Sequence, residues 1–263
     1  MNDLLKQIIG KEITAEGKLN KTREFLQELM LKIFFDRELF NNLAFVGGTA
    51  LRVLYDLRRY SEDLDFSLIK ARGYSFEKLL HDLVFELEHY GFEVENTPGK
   101  NRTVHSSMLK FPGLLAELGL SRIKGQKLSV KLEIDTNPPA GWNTLLSPVA
   151  KTFVFAVTSF DLPSSYAAKL HACFFRKFIK GRDFYDLIWY LGKKVEPNYL
   201  LLNNAIEQTE KKNLNLNRDN LREFMRQKLA GIDFAMAGKD VERFLEDKSE
   251  LRLFDQDLIL RLV

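Results

Sequence analysis

Residues 127–135 alternate strictly. Leu128, Val130, Leu132 and Ile134 fall on one side, and Lys127, Ser129, Lys131, Glu133 and Asp135 on the other. A period of two marks a strand with one face in the core. Residues 63–69 repeat the pattern, with Asp63, Asp65 and Ser67 set against Leu64, Phe66 and Leu68. Shorter apolar runs at 43–46, 92–95, 106–111 and 153–157 read as further strands, with the polar stretch 96–102 as the turn inside one pair. Helical spacing takes over elsewhere. Residues 2–42 read as two helices meeting near 14–19, the second carrying Phe25, Leu26, Leu29, Met30, Ile33 and Phe34 at steps of three and four. Residues 50–59 and 75–90 follow the same rule; Ser75 is the expected N-cap of the latter and Gly91 its stop. Pro138 and Pro139 end the strand at 127–135. Past a boundary near 161–164 the pattern is helical, with segments at 166–178, 183–191, 200–210, 218–229, 241–245 and 255–262. The expected class is α+β: a mixed sheet flanked by helices over residues 1–160, followed by a C-terminal helical domain over 161–263.

The alternation places chemistry as well as structure. Asp63 and Asp65 lie side by side on one strand face, where two carboxylates repel unless a cation offsets them. Magnesium, or manganese in its place, prefers such carboxylate oxygens together with water and phosphate. Just upstream, Gly47-Gly48-Thr49 sits between a strand and a helix, a turn that lets backbone approach a ligand and aims a helix N-terminus at phosphate. Thr49 adds a hydroxyl. A phosphate cradle followed by paired carboxylates reads as a site for a metal-bound nucleotide. Asp135 ends the other alternating strand on the same kind of polar face, so neighbouring strands would bring three carboxylates together, enough for one or two metal ions. Lys169 stands in a mostly apolar helical turn, where a free ammonium is costly unless it reaches a phosphate or a carboxylate. Asp183 and Asp186 share a helix face beside Arg182, and an ion-pair network between packed helices accounts for them equally well.

Composition narrows the function classes. The 263 residues suffice for a full core, and 45% hydrophobic with 29% charged residues is the balance of a globular protein. With 39 Lys+Arg against 36 Asp+Glu the net charge is +3, which excludes a generic polyelectrolyte binder but leaves room for a local basic groove. Lys100, Arg102, Lys110, Arg122, Lys124 and Lys127 form one basic stretch, and Lys211, Lys212, Arg218, Arg222, Arg226 and Lys228 another; each reads as a solvated face or an RNA contact. The single Cys173 excludes an internal disulfide. No apolar run approaches a membrane span and MNDLLKQ does not read as a signal peptide, so a cytoplasmic protein without membrane partners is expected.

The motif GGTALR, followed by RRYSEDLDFSL, resembles the nucleotidyltransferase superfamily, whose fold is that of DNA polymerase beta. More closely it is similar to the AbiEii/AbiGii toxin family of bacterial nucleotidyltransferase-like proteins. LEIDTNPP resembles the superfamily's third-aspartate motif, and AKLHA with KFIKGRDFYDL resembles the closing motif of the toxin family. The resemblance spans residues 43–191. It implies a nucleotidyltransferase-like sheet in which Gly47, Gly48 and Thr49 bind the triphosphate and Asp63, Asp65 and Asp135 hold magnesium, Asp135 also helping to take the acceptor's proton. It implies further that Lys169 contacts the phosphates and that Asp183 and Asp186 complete the site. Arg59, Ser61 and Arg182 join the nucleotide-binding set on the same ground, although Arg58 and Arg59 are not told apart. Ser61 stands on the approach to the aspartate pair, where a phosphate group would repel an incoming nucleotide. The implied activity is transfer of a nucleoside monophosphate from an NTP to an acceptor hydroxyl, with RNA, specifically tRNA, as acceptor. The implied setting is a bacterial toxin–antitoxin or abortive-infection system with a cognate antitoxin. Two alternatives stay open: transfer to a small molecule or protein, and nucleotide binding without catalysis.

Overall fold

In the computed structural model, which describes residues 2–99, 103–123 and 125–263, the longest apolar stripe makes the longest helix. A short helix, Asn2–Ile9 (α1), precedes Ala15–Asp36 (α2), which Thr14 caps by accepting the Gly17 N–H at 2.9 Å. The chain then runs through Leu43–Val46 (β1), Gly47–Tyr55 (α3), Asp63–Leu68 (β2), Phe76–His89 (α4), Glu95–Pro98 (β3) and Val104–Phe111 (β4). Leu114–Glu117 (α5), Leu128–Asp135 (β5), Thr144–Ala150 (β6) and Val154–Phe160 (β7) follow. The seven strands form one mixed sheet in the order β3-β4-β5-β2-β1-β7-β6. The β2/β5 and β1/β7 pairs are parallel, whereas β1/β2, β3/β4 and β4/β5 are antiparallel.

The two alternating strands are neighbours, and this positions the site. Leu64, Phe66, Leu132 and Ile134 turn to the buried face. There Phe66 meets Phe34 of α2, ring centres 5.0 Å apart, and Phe45 of β1 at 5.4 Å. Fixing that face inward sends Asp63, Asp65, Lys131 and Glu133 to the other, because side chains alternate.

Chain segments divide between two compact units. Met1–Ala50, Ser61–Asn137 and Leu146–Ser159 form the first; Leu51–Tyr60, Pro138–Leu145 and Phe160–Val263 form the second. Against an expected cut after residue 160, two earlier segments therefore belong with the helices. Within the second unit they are held by long-range backbone bonds: the Tyr60 N–H donates to the Phe244 carbonyl at 2.7 Å, and the Gly141 carbonyl accepts from the Asn198 side chain at 2.7 Å. Such pairing has no local sequence signature. The helices of this unit are Leu162–Phe175 (α6), Gly181–Lys193 (α7), Tyr199–Glu210 (α8), Leu221–Leu229 (α9), Phe234–Val241 (α10) and Gln256–Leu262 (α11). Asp161 caps α6 by accepting the Ser164 N–H at 2.8 Å, and Tyr166 of α6 stacks on Tyr190 of α7 with ring centres 4.5 Å apart. Gly181 has no room for a side chain, because a methyl group there would run into the Ala237 carbonyl of α10.

Three elements depart from expectation. The strand placed at 92–95 falls instead at β3, because Phe92 is buried edge-on against Phe111 from a loop while the polar residues after it pair with β4. β6 has no counterpart among the expected strands; it carries Pro148, whose missing N–H is tolerated because β6 is an edge strand. The helix placed at 241–245 is α10, which Asp233 starts by accepting the Met236 N–H at 2.9 Å; 242–244 is a 3-10 turn. Of the basic stretch around 100–127, Lys100, Arg102 and Lys124 lie outside the described residues. Among the described residues no helix is long and apolar enough to cross a membrane.

Candidate active site

The first unit carries the glycine turn and the carboxylates. Gly47 has φ +80°, a conformation L side chains rarely adopt, and it opens α3 directly after β1. A methyl group built on it would collide with the Asp65 carboxylate and its Cβ. The turn is therefore seated against Asp65 with no space for a side chain between them. Gly47→Ala is expected to destabilise the protein by about 1–2 kcal/mol through backbone strain. It should also push the Asp65 carboxylate from its place beside the turn; urea denaturation measures the loss of stability.

Thr49 departs from its expected part. It is 1% exposed, and its hydroxyl donates to the backbone carbonyl of Asp63. It ties the first turn of α3 to the start of β2, so it positions the aspartates and spends its proton there. Ser61, in the same unit, is buried, and its carbonyl accepts from the Gln27 side chain at 3.1 Å. A kinase cannot reach a hydroxyl so placed without local opening.

Strand register sorts the carboxylates. Asp63 pairs with Lys131, Asp65 with Glu133, and Ser67 with Asp135. On the other side Val46 pairs with Asp65 and Ala44 with Ser67. Gly47 follows Val46, so the turn lies at the Asp63 end, whereas Asp135 sits two positions beyond Asp65, roughly 6.6 Å along the strand and away from the turn. The structure thus brings Asp63 and Asp65 together but does not bring Asp135 to them. The Asp135 carboxylate instead accepts the Asn137 N–H at 2.9 Å, and burial, only partly offset by that bond, raises its pKa. The carboxylate level with Asp65 is Glu133. Sequence reasoning placed it on the right face but lacked the register to select it. Lys131 reaches Glu133 at 2.8 Å. Burial would lower the Lys131 pKa, but Glu133, then Asp63 and Asp65, outweigh it and raise it.

Among the described residues no three His, Cys, Asp or Glu side chains converge as a metal cage. Two carboxylates beside a glycine turn at a helix N-terminus nonetheless fit a magnesium ion that keeps water and takes its remaining ligands from a phosphate. The close seat of Gly47 against Asp65 is the feature that matches such a ligand set.

The second unit gathers the other candidates into a buried network. Arg59, of side-chain exposure 3%, grips Asp186, at 0%, through two bonds of 2.7 and 2.6 Å. Lys169 lies 2.8 Å from Asp186 and 2.7 Å from Asp183, and Arg176 reaches Asp183 at 2.7 Å. Arg58, by contrast, is exposed and pairs with Glu250 at 3.1 Å. Arg182 lies over the Phe244 ring, 4.4 Å from its centre. The ammonium of Lys169 thus reaches carboxylates, the tolerated case foreseen for it. Burial would lower its pKa, but Asp183 and Asp186 outweigh burial and raise it. Arg59 behaves alike, with Asp186 overcoming burial.

Burial pushes the Asp183 carboxyl up, but Lys169 and Arg176 overcome it and hold the pKa at about 2. A folded-state value below the unfolded one gives stability that is present above about pH 4 and lost as pH falls toward about 2. Asp183 should therefore make stability fall about 2 kcal/mol more steeply across that window in the wild type than in Asp183→Asn. Urea midpoints at pH 5 and pH 2.5 for both proteins measure the difference.

Comparison with known proteins gives a family and a fold. The model of the nucleotidyl transferase AbiEii toxin family, of type IV toxin–antitoxin systems, matches residues 28–258. The crystal structure of JHP933 from Helicobacter pylori is similar over 91% of this chain and 91% of its own, with 19% identity and a TM-score of 0.52, a likeness of fold. A second H. pylori chain, 18% identical, aligns over 89% of this chain and 95% of its own at a TM-score of 0.45. No curated protein matches the chain.

Proposed function

Because the chain belongs to the AbiEii nucleotidyl transferase toxin family of type IV toxin–antitoxin systems, we propose that it transfers a nucleoside monophosphate from a magnesium-bound NTP to a hydroxyl of RNA. tRNA is the expected acceptor, and manganese would serve in place of magnesium. The observation that carries this reading is the seat of Gly47 against Asp65, which brings the backbone of a strand-to-helix turn beside a carboxylate, as a phosphate cradle next to a metal ligand would need. The family also implies a cognate antitoxin.

In this reading the amides of Gly47 and Gly48, at the N-terminus of α3, hold the terminal phosphates. Asp63 and Asp65 hold the cation, and Thr49 fixes the strand on which they stand. A divalent cation held by Asp63 and Asp65 would supply positive charge to offset the negative charge on the transferring phosphoryl group and the departing pyrophosphate. Glu133, level with Asp65, is assigned the acceptor's proton. Glu133→Gln should then lower kcat by about a hundredfold or more, and Asp135→Asn by less than about tenfold. Equal losses in the two variants would return the proton to Asp135. Lys169, Arg59, Asp183 and Asp186 enter as a buried charge network that holds the second unit together.

The test is incubation of α-labelled NTP with total RNA, total protein and small hydroxylated acceptors. Label in RNA, tRNA above all, supports the reading. Label only in protein or in a small molecule moves the acceptor, and label in none of the three contradicts it.

A further inference from the structure

Lys131 is a cation set among acidic side chains on one face of the sheet. It is level with Asp63 in the strand pairing, on the same sheet face as Asp63, Asp65 and Glu133, and its ammonium bonds Glu133 at 2.8 Å. Three carboxylates on adjacent strand positions repel one another, and like charges placed opposite across a strand pair destabilise it. A cation is needed there before any metal arrives.

We propose that Lys131 is the built-in counter-ion of this face: it steadies Asp63, Asp65 and Glu133 in the metal-free protein and competes with a divalent cation for them. The inference deepens the proposed function and rests on reading Asp63 and Asp65 as the metal pair. Its physical basis is simple. A lysine ammonium is a mobile point charge on a four-carbon stem, about two-fifths exposed here, so it can leave the pair without unfolding anything. While it stays, each carboxylate is partly neutralised and a bare cation gains less by binding. A cation that arrives with a triphosphate brings further oxygen ligands and is favoured over one that arrives alone. Lys131 thereby makes metal binding depend on nucleotide.

The experiment compares wild type, Lys131→Met and Lys131→Arg. Manganese affinity without nucleotide is read by electron paramagnetic resonance, and melting temperature is read in EDTA and in manganese. Lys131→Met should bind manganese about tenfold tighter or more and melt lower than wild type in EDTA, with a wider gap between the two conditions. Lys131→Arg, which keeps the charge, should stay near wild type in both. Manganese affinity unchanged or weakened in Lys131→Met would overturn the proposal, as would the absence of manganese binding in every variant. Tighter manganese binding in Lys131→Met with no nucleotide transfer by the wild type would remove the transferase reading and leave the assignment of Lys131 standing.

Discussion

Asp65→Asn is expected to lose nucleotide transfer almost completely, with kcat/KM down by about a thousandfold or more, roughly 4 kcal/mol of transition-state stabilisation. The substitution keeps shape and removes charge. Asp65 is the residue against which the glycine turn is seated, and it pairs across the sheet with Val46 on one side and Glu133 on the other. Any cation serving the phosphates held by that turn depends on it. The fold does not depend on it in the same way, because asparagine keeps the shape of the side chain and its place on the strand. Stability in EDTA should therefore change by less than about 1 kcal/mol, a shift of about 2–4 °C. Activity and stability part company in this variant, which marks a residue kept for chemistry.

The opposite signature is expected at Asp186. Both of its carboxylate oxygens are engaged by Arg59, and one also by Lys169, with the side chain fully buried. Asp186→Ala would leave two cations buried beside a single remaining carboxylate, Asp183. Breaking a buried pair in this way costs about 3–5 kcal/mol, a large share of the roughly 5–15 kcal/mol that holds a typical domain together. Urea denaturation should show that loss. Arg59→Ala should cost a similar amount, and the double variant far less than the sum of the two, because each single change already abolishes the same interaction. Additive losses would mean that the pair contributes little and that the two residues act separately.

How much of this was legible in the sequence depended on whether the signal was local. The alternation at 63–69 and 127–135 found both central strands and put each polar residue on its correct face, since a period of two is written in consecutive residues. The apolar stripe of α2 and the cap Ser75 are local in the same sense. Register is not. Nothing in LEID says whether Glu133 or Asp135 stands beside Asp65; that follows from where two strands distant in sequence begin to pair. The same limit explains Arg58 and Arg59, adjacent and identical in type. One is exposed toward Glu250 and the other buried on Asp186, a choice made by a helix more than a hundred residues later. The Thr49 hydroxyl reads from the sequence as a phosphate donor, yet it donates to the Asp63 carbonyl, a partner that carries no side-chain signature. Motif spacing thus located the chemistry, and tertiary contacts decided which side chains remain available for it.

The most direct test of the whole account is a crystal structure of the protein with manganese and a non-hydrolysable NTP analogue, with the metal located by its anomalous signal. The account predicts manganese on Asp63 and Asp65, with the terminal phosphates lying against the Gly47–Gly48 amides. A metal found elsewhere, or a triphosphate bound with the glycine turn and the aspartate pair left empty, would contradict it.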